Sequence, residues 1–128
     1  CDAFEKLLPQ LTGRDDAPSA EQLEMIIADE MTHLFVATEN DVILGTLTLV
    51  LYRIPTNLKG MIEDVIVDEA ARGKGVATRL MNHAISVARK NGVAKLELTS
   101  NPTRIAANNM YQQLGFEKRN TNFYRMDL

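Results

Sequence analysis

The sequence predicts a mixed α/β domain, and three observations carry the prediction. Apolar residues recur at helical spacing ahead of Met31, they alternate at strand spacing between Leu34 and Val67, and a glycine-rich turn then leads into an amphipathic helix followed by a further strand. The last of these patterns is one strand–helix–strand crossover.

Phe4, Leu7, Leu8 and Leu11 set a first helix over residues 2 to 11, and the polar cluster Thr12 to Ser19, with Gly13 and Pro18, breaks it. Ser19 stands three residues ahead of Gln22, the spacing of a capping box, and Leu23, Ile26 and Ile27 supply the buried stripe of a second helix ending near Met31. Strands are predicted over Leu34 to Ala37 and, after a polar turn at Glu39 to Asp41, over Val42 to Ile54, whose length and Gly45 suggest a twist or bulge. Pro55, Asn57 and Gly60 mark the next connection. Met61 to Val67 then alternates, with Met61, Glu63, Val65 and Val67 on one face and Ile62, Asp64 and Ile66 on the other. Two acids in mid-strand are costly unless a cleft or partner receives them.

After Asp68 to Ala71 comes Arg72-Gly73-Lys74-Gly75 and a helix with Val76, Ala77, Leu80, Met81, Ala84, Ile85 and Ala88 on one side, closed by Asn91-Gly92. A strand over Val93 to Thr99, a helix from about Arg104 to Leu114, and a last strand pair around Glu117 and Phe123 to Met126 complete the chain. With no internal repeat, linker or low-complexity segment, residues 1–128 read as one domain.

Composition agrees. The 128 residues are 45% hydrophobic and 24% charged, which excludes disordered, collagen-like and coiled-coil classes. A chain of this length buries roughly two-thirds of its unfolded surface, so it needs neither disulfide nor structural metal. A net charge of −3 and a pI near 5.4 argue against a generic grip on nucleic acid. The longest uncharged apolar stretch, Val42 to Tyr52, is about half a membrane span, so no membrane role is expected. One cysteine and two histidines give no disulfide and no zinc spacing, which fits a reducing, cytoplasmic compartment and no metal site. That cysteine is Cys1, where an initiator Met is expected, so the chain reads as a truncated or processed version of a longer one. Lipid attachment at Cys1 fits less well, because the helical pattern begins at once, without a polar tether.

The strongest chemical signal is Arg72-Gly73-Lys74-Gly75-Val76-Ala77 between a strand and a helix. No Ser, Thr, Asp or Asn stands immediately ahead of that helix to cap its amides, two glycines let the backbone approach a ligand closely, and Arg72 and Lys74 add positive charge. A phosphate or pyrophosphate is the natural guest. The plainer reading is a tight turn. Lys74 precedes the second glycine, so the loop is not that of the nucleotide triphosphatases. Thr78 stands where the dinucleotide fingerprint needs Gly or Ala, which leaves a nicotinamide dinucleotide-binding module as a weaker alternative.

With Val65-Ile66-Val67 ahead of it, this loop resembles the acyl-CoA motif of the GNAT superfamily of N-acetyltransferases, with Arg72, Gly75 and Ala77 at its defining positions. A second segment, Ala106 to Phe116, resembles the family's helix ending in Tyr, three residues, Gly-Phe, here Tyr111 to Gly115-Phe116. The resemblance implies the acyl-CoA N-acyltransferase fold: a single, mostly antiparallel sheet with a splayed central parallel strand pair, flanked by helices. The family's first strand is expected to be missing from this sequence, which starts almost inside the first helix, and an edge of the sheet is then expected to be unpaired unless a partner or further residues cover it. Acetyl-CoA is implied as cosubstrate, with its pyrophosphate on the amides of Arg72, Gly73, Lys74, Gly75, Val76 and Ala77 and its pantetheine arm beside Val65, Ile66 and Val67. Asn101 and Asn108 match positions that bond that arm, although Asn108 also fits a solvated helix position.

The reaction implied is acetyl transfer to a primary amine of a small molecule or peptide by direct attack in a ternary complex. It needs a base for the ammonium proton and an acid for the departing thiolate. Tyr111 matches the family's phenol position and is assigned as the acid; a packed aromatic is the other reading. Glu63 is assigned as the base, from the face it shares with Val65 and Val67 and from the likeness of Gly60 to Val65 to glucosamine 6-phosphate acetyltransferases. Either acid, Glu63 or Asp64, could instead partner Arg53, Arg79 or Arg104. An acyl-CoA-binding sensor without turnover is the non-enzymatic alternative. His83 is expected to be solvated, and Met25, Met31 and Met81 to fill the core. Phe123, Tyr124 and Arg125 are expected to form a strand pair or an acceptor or homodimer surface.

Overall fold

In the computed structural model, residues 19–128 are described; the helix expected over residues 2 to 11 lies outside them. In chain order the elements are α1 (Ala20–Ala28), β1 (Thr32–Glu39), β2 (Val42–Ile54), β3 (Asn57–Val67), a 3-10 turn (Glu69–Ala71), α2 (Val76–Lys90), β4 (Lys95–Leu98) and α3 (Ile105–Gln113). The strands form one open mixed sheet in the order β1-β2-β3-β4. The first three are antiparallel, and β4 lies parallel to β3 across the α2 crossover.

Local chemistry accounts for these boundaries. Ser19 and Gln22 form the reciprocal capping box at the start of α1. Asn40 and Asp41 take left-handed φ values of 51° and 63°, as a two-residue hairpin turn between β1 and β2 requires. Gly45 is where the sheet lets α2 in. A Cβ there would stand 2.9 Å from the Ile66 carbonyl oxygen and 3.1 Å from Val76 Cγ1. Next to it the core joins Leu47, Leu49, Leu51 and Ile62 of the sheet to Val76, Leu80, Met81, Ala84 and Ala88 of α2, and Leu47, Leu49, Met81 and Ala84 are fully buried.

Three expectations are corrected. The alternation predicted for Met61 to Val67 does not hold through the strand, because β3 carries a bulge. The ladder steps from Thr48↔Glu63 to Thr46↔Ile66, two residues on β2 against three on β3, and Asp64 sits at φ 50°. Cross-strand partners share a face, so Met61 and Glu63 share theirs with Ile66, while Val67, opposite Gly45, joins the face of Ile62. No strand follows Leu98 among the described residues. Glu117 to Met126 makes no backbone ladder, and Phe123, Tyr124 and Met126 are exposed. Strand propensity there meets no ladder partner among the described residues. Finally, α1 is only partly packed: Leu23 and Ile26 of the expected stripe are half-buried and Ile27 is exposed, and of the three methionines expected in the core Met25 and Met31 are exposed and only Met81 is fully buried. No helix among the described residues is long and apolar enough to cross a membrane.

Candidate active site

The parallel ladder is short. Lys59 to Ile62 of β3 pairs with Lys95 to Leu98 of β4, whereas β3 continues to Val67 with nothing from β4 beside it. The strands diverge at the bulge, and a cavity of about 160 Å³ opens there. Ile62, Glu63, Asp64 and Val65 form one wall, Leu98 and Thr99 the end of β4, and Arg104 and Tyr111 the wall from α3. Glu63 and Asp64 are exposed to solvent at this opening, so the splay removes the burial cost that two mid-strand acids would otherwise carry.

Tyr111 is only 6% exposed, and its ring meets Phe116 edge-on at 6.3 Å. Burial pushes its phenol above the ordinary value near 10, and the positive charge of Arg104 pulls it partly back. Arg104 belongs to the cavity, a role that sequence reasoning did not give it. The available signal was its spacing: seven residues, about two helical turns, ahead of Tyr111 on one helix face.

The turn carrying Arg104 is tightly tied. Asn108 Nδ2 donates to the carbonyl oxygens of Asn101 (2.9 Å) and Arg104 (2.8 Å), and Asn101 Oδ1 accepts from Thr103 N (2.9 Å) and Oγ1 (2.8 Å). Both asparagines thus brace the start of α3, and Asn108 Nδ2 has already placed both its hydrogens.

At the far end of β3 the chain passes through the 3-10 turn into the glycine loop. Gly73 and Gly75 take φ 80° and 77°, values that side chains other than glycine's resist, and a Cβ at either would meet nothing within 4 Å. Gly75 is the N-cap of the fifteen-residue α2, and no side chain caps the helix. Arg79 Nη2 donates to the Lys74 carbonyl and Arg72 Nε to the Val67 carbonyl, both at 3.4 Å, which draws the loop toward the helix and the strand end. The first-turn amides thus face open space at the positive end of a long helix dipole. Arg72, Gly73, Lys74 and Gly75 are exposed and Val76 is anchored in the core.

A profile of the Acetyltransferase (GNAT) family matches residues 2–116 of this chain. The chain belongs to this family. It is 32% identical over 111 residues to a streptothricin acetyltransferase of Streptomyces lavendulae, covering 87% of this chain and 56% of that protein, so it spans about half the length of that relative. A putative acetyltransferase from Agrobacterium tumefaciens str. C58 superposes with a TM-score of 0.87 at 26% identity, covering 98% of this chain and 92% of the other. A glucosamine-6-phosphate N-acetyltransferase from Arabidopsis thaliana shares the fold, with a TM-score of 0.82 at 21% identity over 97% of this chain and 88% of its own.

Two further features bound the site of this acetyltransferase-family chain. A larger hollow of about 630 Å³ lies between β1 and α2, lined in part by Phe35, Ala37, Leu44, Leu80 and His83. Its lining includes neither Tyr111 nor the β3 acids, so the candidate acid and base line the smaller of the two cavities. His83 is exposed, as expected, and its ring also meets Phe35 edge-on at 4.7 Å. Within the ladder, Lys59 Nζ meets Glu97 Oε1 at 2.6 Å and lies 5.7 Å from the centre of the Tyr52 ring. Hydrogen bonding to Glu97, and then to Tyr52, raises the Lys59 ammonium above its ordinary value. Among the described residues, no group of three or more His, Cys, Asp and Glu side chains could hold a metal ion.

Proposed function

We propose that this chain, acting as one transferase domain, moves an acetyl group from acetyl-CoA to a primary amine of a small molecule or peptide by direct attack in a ternary complex. The observation that carries the reading is the cavity at the β3–β4 divergence. It holds an exposed carboxylate and a buried phenol on opposite walls, one strand length from an open, uncapped glycine loop. The loop fits a pyrophosphate: its amides are unclaimed by side chains, and Arg72 and Lys74 stand beside them. Bound there, acetyl-CoA supplies an activated thioester carbonyl. Val65, Ile66 and Val67 offer it backbone along β3, which covers the roughly 13 Å from Glu63 to Val67, and Asn101 Nδ2 and Asn108 Oδ1 are the proposed side-chain contacts to the arm.

Glu63 takes the proton that the amine must lose before its nitrogen forms the new bond to the acyl carbon. As the carbon–sulfur bond breaks and its electron pair goes to sulfur, Tyr111 returns a proton to that atom. Tyr111 holds its proton at neutral pH, the form that can donate, while burial raises the phenol above its ordinary value and makes it a weaker acid. The small-molecule arm of the proposal is favoured by the likeness to a streptothricin acetyltransferase.

Thiol release from acetyl-CoA across a panel of small amines and peptide N-termini tests the reading. Turnover is expected with at least one amine, and Glu63→Gln is expected to lower it by about two orders of magnitude, with partial recovery at high pH, where more of the amine is already neutral. Thermal stabilisation by NAD but not by CoA would overturn the reading, and CoA binding without turnover on any amine would favour the sensor.

A further inference from the structure

We propose that the Arg104 guanidinium is a positioning group for Tyr111, stabilising the phenolate that remains after the phenol has given up its proton. The inference rests on the reading of Tyr111 as the general acid and assigns that site a further residue. Three observations support it. Arg104, at the N-cap of α3, and Tyr111, about two turns further along the helix, line the same 160 Å³ cavity. Arg104 has no ion-pair partner among the described residues, and its backbone is held by Asn101 and Asn108: its N–H donates to the Asn101 carbonyl at 3.0 Å, and its carbonyl accepts from Asn108 N at 3.0 Å and Nδ2 at 2.8 Å. The other charged groups facing the cavity, Glu63 and Asp64 on β3, are negative and would disfavour a phenolate; β4 adds only Leu98 and Thr99, and Phe116 meets the ring edge-on.

The need is chemical. A buried phenol is a weaker acid than the thiol it must protonate, since an ordinary phenol titrates near 10 and a thiol near 8.5. Of the groups around Tyr111, Arg104 is the one whose charge favours its ionised form. In the step itself the proton leaves Tyr111 Oη for the sulfur that has received the carbon–sulfur electron pair. The phenolate, neutralised in field by Arg104, then regains a proton from solvent.

The test compares Arg104→Gln, Arg104→Lys and Tyr111→Phe in the full chain, reading kcat, KM for acetyl-CoA and the alkaline limb of kcat against pH. Arg104→Gln is expected to lower kcat about three- to five-fold with KM unchanged, the scale of an exposed charge interaction. Its alkaline limb should move upward by about half a pH unit, because Tyr111 then holds its proton longer. Arg104→Lys should restore both. An alkaline limb that does not move in Arg104→Gln, or a loss of kcat that Arg104→Lys does not repair, overturns the inference while leaving Tyr111 as the acid. Full kcat in Tyr111→Phe overturns the underlying reading together with it. Should Arg104→Gln not fold, absorbance titration of Tyr111 at low and high salt in Tyr52→Phe/Tyr124→Phe/Glu63→Gln/Asp64→Asn, which leaves Arg104 as the one charged group lining the cavity, gives the same answer. Salt should raise the phenol's midpoint if Arg104 acts on it, and an unmoved midpoint overturns the inference.

Discussion

Helices α2 and α3 both contribute to the site, one through the loop that precedes it and the other through Tyr111, yet they are anchored very differently. In α2, Val76, Leu80, Met81, Ala84 and Ala88 are buried against β2 and β3, whereas in α3 Tyr111 alone is buried. The same contrast runs through the strands: β2 contributes Leu47, Leu49 and Leu51 to the core, and β4 has no buried residue. The glycine loop is therefore set on the best-packed part of the described molecule, and the proposed proton donor on a lightly held rim. Stability and catalysis should then respond to different substitutions.

The largest expected effect breaks the packed side. Leu47→Ala removes a fully buried side chain from the middle of the sheet and should cost about 3 to 5 kcal/mol of unfolding free energy. Urea unfolding would show it as a lower midpoint with little change in slope; a loss below about 1 kcal/mol would mean that the core collapses onto the gap.

Next comes the loop. Gly75→Ala meets no neighbour, so its cost is backbone strain alone, about 1 to 2 kcal/mol from the left-handed conformation. If relief of that strain moves the amides, CoA affinity measured by calorimetry falls about ten-fold or more, an effect that stability alone would not produce. Unchanged affinity would separate the loop from coenzyme binding.

The smallest effect is one of pH. Folding raises the pKa values of Tyr111 and Lys59, so each contributes stability that is complete below its unfolded value and is lost as pH rises through its folded value. Both windows open at or just above pH 10. A thermal midpoint that is flat from neutral pH to about 10 and then declines is expected, with Tyr111→Phe removing part of the decline. An equally steep decline in that variant would assign the whole effect to other groups.

Much of this architecture was legible in the residues themselves. The Ser19–Gln22 box, the Asn40–Asp41 turn, the long β2 with Gly45, and the glycine pair ahead of an apolar-faced helix each depend on chemistry within a few residues. The loop and the Tyr111 helix were legible for the same reason. Features that depend on a distant neighbour were not. The stripe of α1 predicted burial, but an amphipathic pattern cannot say how much surface is there to receive it: Leu23 and Ile26 are half-buried and Ile27 is exposed. Nor can alternation in Phe123 to Met126 supply the ladder partner that makes a strand.

The sequence alone determined the local elements, their order and the uncapped glycine loop, because those follow from backbone preference and short-range spacing. Only the tertiary structure decided where β3 and β4 part, that Asp64 bulges and turns Val67 to the face of Ile62, and that Arg104 shares a cavity with Tyr111. The physical reason is that register, splay and charge proximity belong to pairs of elements brought together by folding. No single segment holds both members of such a pair.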